Sequence, residues 1–522
     1  MSRAATLIGA AFAAGVVGGN ACGPVQAAEP LRPPSEDRVA GPAKGPWRRL
    51  FLDGTVVEER VGLERVYHAA EKLEENPVIT ADKPWEKPGR YPGPHLFGTV
   101  MRDRGKYRMW YRCYTPAEIF CYAESEDGIH WTKPELGIYP YQGSTANNIY
   151  LGPASDLGVP EDAKQPHQRF HTAMVFRQPG DVPPEKRYVL FGYMLRPPRH
   201  RLAFSPDGLH WTFVPETAKK GLFPGGDASN YGYDPYNRRY FAMRKVGSRG
   251  LAGRGLSGRG RSVGIAWSKP GSLTQWTTPT TVPVLVPDDL DPDATQFYNA
   301  PTFAYQGLFI AQLWVFHARW FKCGKYTDKR MGEAEKGSPC TTDVQLAWSW
   351  DLFNWTRTPD RQPFIALGDA EADEFDRGSI HTAVAPVVVG DRLFFYYGGA
   401  RGRYLNPRHH AIGVAALRID GFCSMQAGAD EGWLITRREV LEKPTVTINA
   451  KTGQDGVVLA EILDRDNNVL KGFSRNKCIP FKGDAVAHPM RWRTDAFTPD
   501  QRKGDKKFRF ILKNANLYSY MP

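Results

Sequence analysis

The chain has 522 residues, a formal net charge of +12, 41% hydrophobic and 12% aromatic residues. That length allows two or three domains, and that apolar share excludes a disordered or fibrous chain. Lys and Arg are scattered apart from short runs such as Arg502-Lys503-Gly504-Asp505-Lys506-Lys507, and no reading motif accompanies them, so nucleic acid is set aside as partner; the charge reads as a solvated basic surface or as the complement of an anionic ligand such as an acidic or sulfated glycan.

Residues 1–28 read as a signal peptide. Arg3 precedes an apolar run from Ala4 to Val17, and Val25-Gln26-Ala27 before Ala28 is a small-residue cleavage site. The expected destination is periplasmic or extracellular. Lipid attachment at Cys22 is the weaker alternative, because Gly19-Asn20-Ala21 fits that processing poorly. No later segment is apolar enough for an integral membrane span. Residues 29–48 are Pro-rich and polar, a linker. Six cysteines remain after cleavage. In an exported chain an even count is compatible with disulfides, and sequence neighbourhood pairs Cys113 with Cys121, Cys323 with Cys340 and Cys423 with Cys478. No Cys-x-x-Cys occurs, which disfavours structural zinc. No cofactor is implied.

Arg49-Leu50-Phe51-Leu52-Asp53 reads as a short strand, and Val56 to His68 as an extended strand or hairpin lying over the domain that follows. Trp85-Glu86 leads into a repeated unit. Tyr122-Ala123-Glu124-Ser125-Glu126-Asp127-Gly128-Ile129-His130-Trp131 returns as Leu202-Ala203-Phe204-Ser205-Pro206-Asp207-Gly208-Leu209-His210-Trp211. Looser copies run from Val263 to Trp276, from Val344 to Trp355 and from Ile412 to Phe422. In the two full copies a strand reaches Ser, turns at Asp-Gly and returns to Trp; the copy from Val263 does so without Asp-Gly, and the last is worn and ends on Phe422. Gly accepts positive φ, Asp bonds its own backbone, and the Trp anchors apolar surface while its N–H seeks a partner.

An aromatic-rich strand precedes each copy: Lys106 to Tyr111, Lys186 to Tyr193, Arg239 to Arg244, Leu308 to Trp314 and Arg392 to Tyr397. Ahead of each lies a further strand: Leu96 to Met101, Thr172 to Phe176, Ser229 to Tyr233, Ala300 to Tyr305 and Thr382 to Val389. Short sheets repeated five times predict an all-β chain with a five-bladed β-propeller over 49–421. The blades are placed at 86–155, 165–218, 226–282, 293–365 and 374–420. Gly247 to Arg261 is Gly/Arg-rich and reads as a mobile loop. From 422 the pattern changes to strands split by Asp, Asn and Gly turns, a β-sandwich over 422–522.

This arrangement resembles glycoside hydrolase family 32, and the blade core resembles the wider family 43 and 32 furanosidase group. The resemblance rests on the Ser-x-Asp-Gly-x-x-Trp repeat and on Gly98-Thr99-Val100 running into Tyr107-Arg108-Met109-Trp110-Tyr111. The Asn-Asp-Pro-Asn-Gly, Arg-Asp-Pro and Glu-Cys motifs of the sucrose-cleaving members are absent. The resemblance implies a site in the propeller funnel, lined by the first strand of every blade, with three carboxylates. Glycoside cleavage independently needs one carboxylic acid for the leaving oxygen and one carboxylate as nucleophile or base.

Acids that head inner strands are the catalytic candidates: Asp227, Glu374, Asp376 and Glu86, with Asp293 a weaker one. Asp127, Asp207 and Asp351 recur in the repeat and are read as turn formers. Substrate-binding candidates are His95, Arg169, His171, Asn230, Tyr298, Asn299, Arg377 and His381, with His167 beside them. His409-His410 is discounted as a metal pair, since adjacent strand residues point opposite ways. No metal site is expected. The leading reading is an exported glycosidase acting on a poly- or oligosaccharide, anionic on the sharper reading of the charge. The alternatives are a non-catalytic carbohydrate-binding surface protein on the same scaffold, and a polysaccharide lyase in which His and Tyr replace the carboxylates.

Overall fold

The computed structural model describes residues 47–87, 91–114, 118–152, 170–195, 198–247, 260–280, 283–292, 295–317, 340–402, 409–494 and 496–522. Strands dominate, and the α-helix among them is the five-residue Glu216–Lys220. Blade one is built from Tyr91–Asp103, Lys106–Tyr114, Ile119–Ser125 and Trp131–Thr132, and blade two from Phe170–Arg177, Tyr188–Leu195, Pro198–Ser205 and Thr212–Phe213. Blade three is Asn230–Asp234, Arg239–Gly247, Arg261–Ser268 and Trp276–Thr277. In blade four the inner strand is broken into Gln296–Asn299 and Thr302–Tyr305, both pairing Leu308–His317, which pairs Thr341–Ser349 and through it Trp355–Arg357. Blade five follows with Ser379–Thr382, Val387–Val389, Arg392–Ala400 and His410–Arg418.

These five blades close a ring, as predicted, with blades four and five joined into one sheet by the parallel pair Thr342 and Ser379. The inner strands meet one after another: Val175 N–H donates to Thr99 Oγ1 at 3.0 Å, and Tyr231 N–H meets Met174 Sδ at 3.4 Å. Gln312 Nε2 donates to Ala383 O at 3.0 Å, and Val384 N–H returns to Gly98 O at 3.2 Å. The outer strand of blade five is Glu71–Lys72, taken from ahead of blade one, so the ring is latched by chain from both sides of the seam. Blades pack face to face, which buries middle strands on both faces; Leu308–His317 is buried at all but its last residue. That is why these strands read as unbroken apolar runs rather than as alternation.

The Asp-Gly turns explain the repeat. Ser125 Oγ accepts from Gly128 N–H at 2.8 Å, and Asp127 Oδ1 accepts from the Ile129 and His130 N–H groups, each at 2.8 Å. The same bonds recur at Ser205 and Asp207 and at Ser349 and Asp351. The Trp N–H finds the turn carbonyl three residues back: Trp131 to Gly128 O at 3.2 Å, Trp276 to Leu273 O at 2.8 Å, and Trp355 to Leu352 O at 3.0 Å. Gly128 O also accepts from Tyr396 OH of blade five at 2.6 Å, and Gly208 O from Trp110 Nε1 of blade one at 2.7 Å.

The C-terminal β-sandwich contains Cys423–Ala427, Gly432–Thr436, Val446–Leu463, Asp484–Met490 and Lys507–Met521. Residues 49–67 differ from the sequence reading. Rather than lying over the propeller, Arg49–Leu50, Val57–Val61 and Glu64–Tyr67 pair into the sandwich sheet. The mixed apolar and charged run of residues 57–67 suits either setting, so pattern alone did not choose the partner. Asp53 ties the two domains, accepting from Trp348 Nε1 and Trp350 Nε1, each at 3.0 Å.

Two expected disulfides are corrected: Cys113, Cys121, Cys423 and Cys478 are free thiols. The register sets Cys113 opposite Ile119 and Cys121 opposite Tyr111. The two thiols are therefore diagonal neighbours, about 7–8 Å apart at Cα, beyond ordinary disulfide reach. Cys423 Sγ contacts Phe51 O, and Cys478 Sγ takes the Ala460 N–H at 3.3 Å, in separate places. The third pair includes Cys323, which lies outside the described residues, as do Cys22, the leader, most of the linker and residues 248–259 of the Gly/Arg-rich loop.

Gly128 has φ +83, and a Cβ there meets Tyr396 OH at 2.7 Å. Gly143 has φ +85 with nothing within 4 Å. Gly128→Ala is expected to lower the urea unfolding free energy by about 1–3 kcal/mol, and Gly143→Ala by less, since only the first also displaces an inter-blade contact.

Candidate active site

The starts of the inner strands converge on Phe97 of blade one. His95 stacks on it at 4.7 Å between ring centroids, His381 of blade five at 5.1 Å, and Trp314 of blade four meets it edge-on at 5.1 Å. His171 of blade two lies 6.3 Å away, and Tyr298 of blade four is 5.5 Å from His381. Arg112, on the second strand of blade one, sets its guanidinium 4.5 Å over the Phe97 ring. The close approach needs small backbone here: a Cβ on Gly98 meets Trp110 O at 2.0 Å.

Above this floor stands the polar cluster. His171 Nδ1 lies 3.2 Å from Glu118 Oε1 and 3.3 Å from Arg112 Nη1. On its other side His171 Nε2 lies 3.8 Å from Asp227 Oδ2. Asp227 is in turn paired with Lys245, whose ammonium sits 5.3 Å over the Tyr298 ring, and Arg261 sits 5.5 Å from the same ring. Every blade contributes. Asp227 is the solvent-reaching carboxylate of the cluster, 29% exposed, whereas Glu118 is 2% exposed.

The electrostatics divide the site in two. Burial pushes the Asp227 carboxyl up, but the Lys245 ammonium and His171 outweigh it and hold it down at about 2, so it is an anion at neutral pH. The floor imidazoles go the other way. Burial, then the neighbouring His410 and Arg112, hold His381 down to about 3; burial and Arg112 do the same for His410; and His95 falls well below its usual value. These three are neutral rings, fit to accept or donate hydrogen bonds but not to attract an anion.

Of the sequence candidates, the structure gathers Asp227, His95, His171, Tyr298 and His381. Asn230 and Asn299 lie beside them as buried struts: Asn299 Nδ2 donates to Ala228 O and Met243 O, joining blades three and four. The other carboxylates show no contact with the cluster. Glu86 is buried against Lys133 at 2.7 Å, takes the Tyr111 hydroxyl at 2.7 Å, and caps the Pro84–Glu86 turn through Lys83 N–H. Asp376 pairs with Lys72 at 2.6 Å and takes Tyr397 OH at 2.8 Å, on the sheet of blade five. Glu374 is exposed beside it, and Arg377 pairs with Asp373 at 3.0 Å. Arg169, His167 and Asp293 lie outside the described residues. Sequence reasoning missed Arg112, Glu118, Lys245, Arg261 and His410. Arg112 and Lys245 stand on second strands, Arg261 and His410 on third strands and Glu118 just ahead of one, and the signal that marks Arg112 and Lys245 is a cation within a largely apolar middle strand. Of the discounted pair, His409 is exposed at φ 52 and His410 is buried, 4.7 Å from His95.

No family model and no curated protein matches the sequence. Among solved structures, a glycosyl hydrolase from Bacteroides ovatus is 15% identical with a TM-score of 0.42, covering 68% of this chain and 94% of its own. A structure described with glycoside hydrolases of the GH130 family that target beta-1,2 mannosidic linkages in Candida mannan is 16% identical, TM-score 0.43, covering 68% and 94%. A fructofuranosidase from Schwanniomyces occidentalis is 11% identical, TM-score 0.38, covering 87% and 98%. These likenesses are in chain path at low identity and assign no chemistry to this chain.

Two outcomes follow from the burial. Glu86→Gln takes from the Lys133 ammonium one of its two carboxylates and leaves it Asp82 and the Thr80 carbonyl, and is expected to cost about 1–3 kcal/mol in chemical unfolding without altering ligand binding at the axis. His381 takes up a proton only near pH 3 when folded but near 6.5 when unfolded, so stability falls as pH drops from about 6.5 toward 3. His381→Gln is expected to flatten that fall by about one proton, ~1.4 kcal/mol per pH unit, read from urea unfolding across pH 5 to 6.5.

Proposed function

We propose that the chain is an exported glycoside hydrolase that cleaves a poly- or oligosaccharide in the axial hollow, with Asp227 as the working carboxylate. The observation that carries this reading is one ionised, solvent-reaching carboxylate facing a second, buried one across His171. Asp227 lies 3.8 Å from His171 Nε2 and Glu118 lies 3.2 Å from His171 Nδ1, so the imidazole joins a carboxylate open to a water molecule with a buried carboxylate that orients the ring. Asp227 takes a proton from that water, whose oxygen attacks the anomeric carbon. The carbon–oxygen bond to the leaving group breaks, and the leaving oxygen takes a proton from His171, which Glu118 orients. Glu86, Glu374 and Asp376, each committed to structure elsewhere, have no part in this scheme. Export rests on the leader read over 1–28; among the described residues no helix is long and apolar enough to cross a membrane.

A second reading has its own support. Lys245 and Arg261 both face the Tyr298 ring beside His171, a set suited to eliminating across a uronic acid, with the cations holding its carboxylate. One assay separates the two. Purified protein is incubated with a glycan panel, and products are followed by reducing ends and by the ultraviolet absorbance of an unsaturated sugar. Hydrolysis is expected, read as new reducing ends without ultraviolet absorbance. Asp227→Asn is expected to lower kcat by about 10²–10⁴ with folded stability retained. An absorbing product would favour elimination, and full activity in Asp227→Asn would remove the proposal.

A further inference from the structure

A second feature lies outside the axial cluster. An open cleft of about 870 Å³ runs along the seam between blades two and three. Its walls carry Arg199, Lys219, Lys220, Arg239 and Lys269, and no Asp or Glu lines it. Arg239 is already engaged: it pairs with Asp234 at 3.3 Å and covers the Trp267 ring at 3.6 Å. The other four form no ion pair among the described residues, and Lys219, Lys220 and Lys269 are exposed. One apolar face stands among them, the half-buried Trp276, held from behind by Phe223 at 4.9 Å and Phe191 at 5.6 Å. An anchored indole between unpaired cations suits a ring with a C–H face and an anionic substituent.

The cleft is also placed relative to the axis. Leu222, Phe223 and Pro224 form part of its wall, and the chain goes directly from them through Gly225 and Gly226 to Asp227. Four residues span at most about 14 Å. A polymer leaving the hollow at Asp227 meets the cleft within that distance.

We propose that this seam is an auxiliary binding groove for an anionic polysaccharide, one whose sugars carry carboxylates or sulfate esters, and that it holds the part of the chain lying outside the axial hollow. The location beside Asp227 rests on the glycosidase reading; the groove's own chemistry does not. The groove supplies spaced positive charge and one flat apolar rest, so it recognises the charge and ring shape of a polymer rather than one sugar. Exposed charge is screened by salt, so binding there is salt-sensitive.

The test uses the full chain in calorimetry and affinity electrophoresis with polygalacturonate, dextran sulfate, neutral dextran and a single-stranded DNA oligonucleotide. Binding to polygalacturonate or dextran sulfate is expected, with little to dextran, and the stronger of the two names the anionic group. Lys219→Ala/Lys220→Ala/Lys269→Ala, all exposed and outside the core, is expected to weaken binding about tenfold or more while cleavage of a short soluble oligosaccharide is unchanged. Asp227→Asn is expected to bind the polymer as tightly as the unaltered protein. The groove is refuted if the triple variant binds both polyanions undiminished, if dextran binds as well, or if DNA binds more tightly than either glycan. Loss of hydrolysis on every glycan with lysine-dependent polyanion binding intact would overturn the glycosidase reading alone.

Discussion

Blades one to four end in a turn whose carbonyl oxygen takes an aromatic N–H or O–H, and the ring leans on that arrangement. An indole N–H buried between sheets needs an acceptor, and leaving it unmet costs about 1–3 kcal/mol. The Ser-x-Asp-Gly turn aims one outward: serine and aspartate side chains take the turn's own N–H groups, leaving the Gly128 and Gly208 carbonyls free for aromatic donors. Because Gly128 O receives both Trp131 and Tyr396, the device that finishes one sheet also holds the next. The aromatic share of the composition is thus used chiefly as inter-blade mortar with polar handles.

Closing the ring brings like charges and imidazoles together at the axis, and the site's character follows from how that crowding is resolved. Arg112 and the buried rings of His95, His381 and His410 cannot all be charged, so the imidazoles stay neutral around the guanidinium. Farther out, where solvent reaches, Lys245 and His171 stabilise a carboxylate instead. A gradient from neutral floor to charged rim follows: burial and the neighbouring Arg112 keep the imidazoles neutral, and Lys245 with His171 holds Asp227 ionised against its own burial.

Much of the fold was legible because the chemistry that makes a propeller is local. The Asp-Gly turn and the Trp it serves sit within a few residues of each other, so they leave a repeating string. The site was legible only in part because its members are not. Asp227, His95, His171, Tyr298 and His381 head inner strands and could be found by position. Glu118 reaches the axis from just ahead of the third strand and Arg112 from the second, where an apolar frame made them look incidental. Glu86 and Asp376 shared the right sequence position but were captured by Lys133 and Lys72, partners 47 and 304 residues away that no local pattern reveals. The pairs Cys113–Cys121 and Cys423–Cys478 failed for the same reason: nearness in sequence does not fix which side chains stand opposite.

The threading of residues 49–72 has one more consequence. Arg49 pairs with Tyr520 and Leu50 with Ser519, and Lys72 seals the fifth blade against Ala415. The sandwich therefore lacks the partner of Arg49–Leu50 until Ser519 and Tyr520 are made, and the propeller lacks the partner of Glu71–Lys72 until Ala415 and Ala416 are. The waiting edges are open β-strands, the kind that pair with strangers. Selection for charge on them is a natural response, and Glu58-Glu59-Arg60 on one and Glu64-Arg65 on the other supply it.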